Sequence, residues 1–263
     1  MPPASSPVSS DGAGGDDGVD SDDNGIQEDT DGDGLTDGPI TSAVITLMPG
    51  TEPTNEPGEG GEKGAADDED GDNTIDFGLV SLGSIGSTIF SDDNNNGLQD
   101  PGEDNIGDKG KTIEITLLDA AGNVVATTTT DANGSYVFDN LLPGNYVVEF
   151  LPPATSPVSS DGAGGDDGVD GDDNGMQSDT DGDGLTDGPI TSSVITLMPG
   201  TEPTNEPGEG GDKGAADDDN GDNTIDFGLV SLGSIGSTVF SDCLLYTSPS
   251  PRDATLSRMP SSA

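Results

Sequence analysis

Histidine and tryptophan are absent from the 263 residues, and a single cysteine, Cys243, is present. The chain also has no arginine before Arg252. Acid–base and nucleophilic chemistry is thereby left to carboxylates and hydroxyls, and one cysteine excludes an intramolecular disulfide framework. Basic residues number 6 against 53 acidic ones, a formal net charge of −47. Nucleic acid and anionic lipid both demand basic patches, so neither is a partner. No stretch approaches the ~18 apolar residues of a membrane span, and no membrane insertion is expected of this segment. Met1-Pro2-Pro3 opens neither basic nor apolar, so no signal peptide is read. Hydrophobic residues make up 28% and aromatics 3%. A globular domain carries roughly 45–50% apolar residues, and the combination seen here is that of a disordered acidic chain. That alternative gives way only if the acids are spaced for a ligand and the apolar residues for strands.

Both conditions hold. Pro2–Asp92 recurs as Pro152–Asp242 at a constant offset of 150, with nine differences. Such similarity marks a tandem array of duplicated units. One complete unit runs over residues 83–232. Residues 1–82 are expected to be the C-terminal part of a preceding unit, and residues 233–242 the start of a third. Residues 243–263 depart from the repeat: Cys243-Leu244-Leu245-Tyr246 stands where it requires Asp93-Asn94-Asn95-Asn96. That tail resembles translated sequencing-adapter read-through and is excluded from the functional reading.

Within the unit, period-two alternation predicts strands. Ile113, Ile115 and Leu117 share one face of Lys111–Leu117, and Tyr146, Val148 and Phe150 share one face of Asn145–Phe150. Ile85–Phe90, Val124–Thr130, Ser135–Phe138, Val194–Met198 and Thr224–Val230 read similarly. Turns at Ala121-Gly122-Asn123, Asp131-Ala132-Asn133-Gly134 and Pro143-Gly144-Asn145 separate them. No helical period is present, so the expected fold is all-β, an antiparallel sandwich. From Leu151 to Ile190 and from Pro199 to Asn223 the strand pattern stops. Loops of that length inside a domain need a reason. Bound cations supply one.

The sharpest motif is Asp92-Asp93-Asn94-Asn95-Asn96-Gly97-Leu98-Gln99-Asp100-Pro101-Gly102-Glu103. Against the twelve-residue calcium loop, Asp92, Asn94 and Asn96 take positions 1, 3 and 5, and Gly97 takes the sharp turn at 6. The Leu98 carbonyl falls at 7, Asp100 at 9 and Glu103 at 12. A hard cation wants six to eight oxygens, and a coiled loop turns every second side chain inward. Two further frames overlap downstream. One offers Asp170, Asp172, Asn174 and Asp181; the other Asp179, Asp181, Asp183, the Leu185 carbonyl and Asp187, with Ile190 at its twelfth position. This shared, back-to-back arrangement resembles thrombospondin type 3 repeats. The preceding copy carries Asp20, Asp22 and Asn24, then Asp29, Asp31, Asp33, Leu35 and Asp37. The run Asp217–Asp222 is a weaker candidate, equally readable as a charged turn. Clustered carboxylates repel unless a counter-ion intervenes, and Ca²⁺ is therefore the expected cofactor. Extracellular modules bind it with Kd of roughly 10⁻⁴–10⁻³ M, which suits a compartment of millimolar calcium.

The complete unit resembles a B-type repeat domain of the serine-aspartate repeat family, related to the collagen-adhesin B domains of bacterial surface proteins. The likeness rests on Gly83-Ser84-Ile85-Gly86, on the loop through Glu103, and on Leu118 to Thr127. It continues over Thr130 to Phe138, Leu142 to Tyr146 and Asp226-Phe227-Gly228. It implies an Ig-like or prealbumin-like β-sandwich that binds calcium through Asp92, Asn94, Asn96, Asp100 and Glu103. It also implies a rigid spacer between a ligand-binding head and the cell envelope, extracellular and attached to the cell surface or secreted. Some related domains carry a Lys–Asn isopeptide bond; Lys109 and Lys111 are conceivable donors, and spacing identifies no partner.

No enzyme is expected. Paired carboxylates hydrolyse glycosides, but these lie in Gly-rich loops without aromatic sugar platforms. The expected partners are neighbouring repeats of the same chain. The alternative function is an adhesive module whose loops hold a matrix or glycan ligand, and it draws on few exposed aromatics.

Overall fold

The computed structural model describes residues 7–10, 22–32, 35–48, 50, 72, 74–106, 110, 112–161, 171–198, 200–203 and 220–236. One compact unit covers Met1–Leu232, and a second covers Gly233–Ala263. In the second, only residues 233–236 are described, and they carry no strand. The calls on the tail, on Lys109 and Lys111, and on Asp217–Asp219 lie outside the described residues.

Every named element among the described residues is a β-strand. Four short strands precede the complete repeat: β1 (Val8–Ser9), β2 (Ile26–Glu28), β3 (Asp37–Thr41) and β4 (Leu79–Val80). The long strands follow: β5 (Gly83–Ser91), β6 (Glu114–Asp119), β7 (Val124–Thr129), β8 (Ser135–Leu141) and β9 (Gly144–Phe150). Then come β10 (Val158–Ser159), β11 (Met176–Gln177), β12 (Ile190–Thr191), β13 (Ile195–Leu197), β14 (Gly221–Asp222) and β15 (Phe227–Val230).

Two sheets make the body. One runs β10-β15-β5-β14 with β8 also on β5; the other runs β11-β12-β9-β6-β7 with β13 also on β9. The predicted alternation is realised in β6 and β9: Ile115, Leu117, Tyr146, Val148 and Phe150 are buried, while Glu114 is exposed. These side chains meet Ile85, Ile89, Phe227 and Leu229 of the other sheet in one core. Phe150 stands edge-on to Phe227 at 5.0 Å between ring centres, so the sheets interlock through aromatic contact. β7 is an edge strand, and its threonines leave that edge polar.

The structure amends the expected pattern in three places. The sandwich is not purely antiparallel, because β14 and β15 both pair with β5 in parallel. Parallel partners come from distant sequence, since such pairs need a long crossover, and β5 is accordingly buried along most of its length. The strand predicted over Thr224–Val230 begins only at Phe227, because Asp222 and Asp226 turn their carboxylates inward across residues 223–226. The loops after Leu151 also hold short strands (β10, β11, β14), which contribute too few apolar residues to leave a sequence period.

Tyr136 ties β8 to this last arm. Its hydroxyl donates to the Ile225 carbonyl at 2.6 Å in the core. Burial, then the charges of Asp226 and Asp222, hold the phenol far above its ordinary pKa of 10.0, so it stays a donor. Tyr136→Phe keeps the ring and orphans that carbonyl. We expect a loss of about 1–2 kcal/mol in urea unfolding.

The described residues of 7–82 repeat several of the arm contacts of 157–232. Gln27 bridges Pro7 and Gly38 as Gln177 bridges Pro157 and Gly188. β1 pairs with β4 as β10 pairs with β15. One difference matters: Ser42–Met48 forms no strand, whereas the nearly identical Ser192–Met198 contains β13. β13 exists by pairing with β9. A strand needs a partner as much as a propensity.

Candidate metal loops and the acidic arm

The loop 92–103 leaves β5 and folds back on Asp92, which is fully buried. Asp92 Oδ1 accepts the backbone N–H of Asn95 at 2.6 Å, and Oδ2 accepts that of Gly97 at 2.8 Å. Asn95 and Gly97 sit at φ 57° and 77°, the left-handed region that Asn and Gly tolerate best. The side chains of Asn94 and Asn96 both reach Asp100 Oδ2, at 2.8 and 2.9 Å. Loop positions 3, 5 and 9 thus converge. Glu103 closes the loop by accepting N–H bonds from Asp93 (2.8 Å) and Asp100 (2.9 Å).

The loop 179–187 is built on the same internal bonds. Asp179 accepts the N–H groups of Gly182 (2.6 Å) and Gly184 (3.0 Å), the equivalents of Asn95 and Gly97. Leu185 N donates to Asp183 as Leu98 N donates to Asn96. Asp179, Asp181 and Asp183 bring ligand oxygens within 4.8 Å of one another, all exposed. The carboxylates of Asp92, Asp100 and Glu103 form no such group. Asp187 turns instead to Thr180, whose N–H it accepts at 2.7 Å. The Thr180 hydroxyl first, then that N–H, hold Asp187 ionised below the ordinary carboxylate pKa of 3.8. Ile190, at the twelfth position, is wholly buried and pairs with Phe150. This loop therefore stays open on the side where a bidentate acid closes a calcium site. In the preceding copy Asp29 binds Gly32 N, and Asp37 binds Thr30, in the same way.

The frame begun at Asp170 is placed differently. Asp20, Asp33 and Asp170 lie outside the described residues. Asn174 is buried, and its Oδ1 accepts Asp226 N at 2.7 Å; Asn24 does the same for Asp76 N. Both asparagines thus serve the backbone through Oδ1. Asp172 forms an antiparallel bridge with Leu98 and is 8% exposed. Asp22 lies 3.4 Å from the Asn24 amide. Asp31 and Leu35 fall in the loop of the preceding copy, in the places of Asp181 and Leu185.

Spacing missed the residues that hold the arm. Asp173 is fully buried and accepts Gly175 N (3.0 Å), Gly228 N (3.0 Å) and the Ser159 hydroxyl (3.4 Å). Its counterpart Asp23 binds Gly25, Gly78, Ser9 and Ser10. Burial pushes the Asp23 carboxyl up, but the bonds from Ser10, Gly78, Gly25 and Ser9 outweigh it and leave the pKa below 3.8. Asp226 joins three segments, accepting from the Ser87 hydroxyl (2.6 Å), Thr88 N (3.1 Å) and Gly171 N (2.7 Å). The one signal was the glycine at 175 and at 228: a Cβ at either position would meet a serine hydroxyl of the arm at 2.6 Å or less. Asp222 goes the other way. Burial outweighs its Thr224 bonds and raises its pKa above 3.8, so its ionisation opposes folding as pH rises above that value.

The 92–103 loop is tied to the arm. Asn95 and Asp161 exchange bonds of 3.0 and 3.1 Å. Gln99 N donates to Gly171 O, and Asp173 N donates to Gly97 O. The described residues contain neither Lys nor Arg. Their buried carboxylates are held by N–H and hydroxyl donors, the alternative to ion pairing for a buried charge.

Residues 83–194 match the family model of the SdrD B-like domain. Among curated relatives, Colossin-A of Dictyostelium discoideum is 48% identical over 87 residues, 33% of this chain and 1% of that protein. Serine-aspartate repeat-containing protein F of Staphylococcus epidermidis is 40% identical over 101 residues, 38% of this chain and 6% of that protein. The fibrinogen-binding protein of Staphylococcus epidermidis is 42% identical over 103 residues, 38% of this chain and 9% of that protein. The chain spans less than a tenth of the length of each of these relatives. The stretch that carries β5 to β9 and the 92–103 loop, residues 83–194, is an SdrD B-like domain.

Proposed function

We propose that the chain is a calcium-stabilised spacer from a cell-surface, extracellular protein. Its complete repeat is residues 83–232, preceded by the end of one repeat and followed by the start of another. The observation that carries this reading is the common architecture of the loops at 92–103 and 179–187. Unrelated flanks converge on the same bonds from positions 4 and 6 to position 1, and from 7 to 5. Such a loop turns alternate side chains toward one point, as a hard cation requires. Asp92, Asn94, Asn96, the Leu98 carbonyl, Asp100 and Glu103 would hold one ion; Asp179, Asp181, Asp183 and the Leu185 carbonyl would hold another, more weakly. Bound calcium would supply positive charge among the clustered oxygens of each loop. The chain's own part is to present oxygens and to brace the 92–103 loop against the arm through Asn95, Asp161 and Asp172.

Spacing is favoured over ligand capture. A relative is named for fibrinogen binding, but aromatics are 3% of this chain and arginine is absent from its repeat, whereas hot spots use both. Isothermal titration of the full chain with calcium is expected to show saturable uptake at sub-millimolar to millimolar concentration. Asp92→Ala with Glu103→Ala should remove one class of site. No heat of binding at millimolar calcium would end this reading.

A further inference from the structure

Asparagine followed by glycine is the pair at which a peptide deamidates most readily, because no Cβ hinders the glycine nitrogen as it closes on the asparagine side chain. The chain has five such pairs: Asn24-Gly25, Asn96-Gly97, Asn133-Gly134, Asn174-Gly175 and Asn220-Gly221. Four are locked. In three of them the glycine N–H is given to a carboxylate: Gly25 to Asp23 (2.8 Å), Gly97 to Asp92 (2.8 Å) and Gly175 to Asp173 (3.0 Å). A charged acceptor holds the very proton that the attacking nitrogen must lose. The carboxamides are pinned as well. Asn24 and Asn174 accept the N–H groups of Asp76 and Asp226, each at 2.7 Å, and Asn96 accepts Leu98 N while donating to Asp100. In the fourth pair, Gly221 is buried in parallel register beside Ser84 of β5, and the Asn220 carbonyl accepts Ser84 N.

Asn133-Gly134 is held differently. It lies in the turn between β7 and β8, and Asn133 is exposed. Gly134 N–H donates to a neutral group, the Asp131 carbonyl, at 3.2 Å. The Asn133 amide reaches Asp131 Oδ2 only at 3.3 Å. Glycine is nonetheless required at 134: its φ is +81°, and a Cβ would stand 2.8 Å from the Ile89 carbonyl oxygen. Packing against β5 therefore keeps a glycine directly after an exposed asparagine.

We propose that Asn133-Gly134 is a self-modification site, where the folded chain deamidates and thereby loosens β8 from β5. The Gly134 nitrogen, its proton taken by solvent base, bonds to Asn133 Cγ. The Cγ–Nδ2 bond breaks, and ammonia leaves carrying a proton from solvent. Water then opens the cyclic imide at either carbonyl, to aspartate or to isoaspartate at 133. No oxidant or reductant enters the balance. Isoaspartate routes the backbone through the side chain and lengthens it by one C–C bond. Gly134 O accepts Ile89 N at 2.9 Å, so the longer turn breaks the contact with β5 at that bond. The new carboxylate also stands beside Asp131, which holds the turn through the N–H groups of Asn133 and Ser135. The inference is independent of the metal reading.

The test ages the full chain at mildly alkaline pH with calcium present throughout, beside a sample held unfolded in urea. Both are mapped by peptic digestion at low pH and mass spectrometry. In the folded sample the amide at Asn133 should be lost while those at Asn24, Asn96, Asn174 and Asn220 remain; in urea all five should be lost together. Asn133→Gln should remove the early release of ammonia from the folded chain. Hydrogen exchange at Ile89 N–H should quicken in the isoaspartate fraction relative to fresh protein. An Asn133 amide that survives as long as the other four overturns the proposal, and so does loss at any of those four at the same rate. An Ile89 N–H that keeps its protection in the isoaspartate fraction overturns the loosening of β8.

Discussion

Adding millimolar calcium to the metal-free full chain raises its melting temperature by roughly 6–12 °C. An ion present at ten times its Kd stabilises the folded state by about 1.4 kcal/mol per site, and two sites give about 3 kcal/mol. For a domain of this size each kcal/mol is worth roughly 2–4 °C. The sign follows from the charge: −47 is compacted on folding, and each ion relieves repulsion where carboxylates crowd most. Sodium chloride at matched ionic strength screens the net charge without entering a loop, so it must give a clearly smaller rise. EDTA should reverse the calcium effect. A melting temperature indifferent to calcium and EDTA would leave the loops as hydrogen-bonded turns and nothing more.

Asp173→Ala is expected to be the most damaging single change outside the apolar core, about 3–5 kcal/mol in denaturant unfolding. It orphans the N–H groups of Gly175 and Gly228, which lie in a region closed to water. Asp173→Asn keeps an oxygen acceptor in place and should recover about half of the loss. Asp23→Ala makes the corresponding cut in the first arm and should leave the cooperative unfolding of the complete repeat nearly unchanged. Acid provides a second readout. Asp23 holds its proton less tightly when folded, so its contribution is full above pH 3.8 and fades only as pH falls below that value. If Asp173→Ala proves neutral, the arm is held by something other than its buried carboxylates.

The body of the fold was legible because β6, β8 and β9 each have one face in the core, and half-burial writes a period of two into the sequence. β14 and the parallel seat of β15 were not. Gly221–Asp222 has no apolar residue to alternate, and parallel pairing is a long-range choice that no local pattern records. The 92–103 and 179–187 loops were readable from alternate acids and a glycine at position 6. Within the frame at Asp170, an amide spaced for a ligand also bonds a nearby N–H. Asn174 does that, while Asp173, one residue out of frame, carries the arm.

The parallel seating of β15 on β5 governs how the repeat meets tension. The chain enters β5 at Gly83 and leaves β15 at Val230, and Phe227, Gly228 and Leu229 lie level with Ile89, Phe90 and Ser91. Pulling the ends apart drags the two strands lengthwise past each other. Their evenly spaced hydrogen bonds are then strained together in shear, instead of being unzipped one after another.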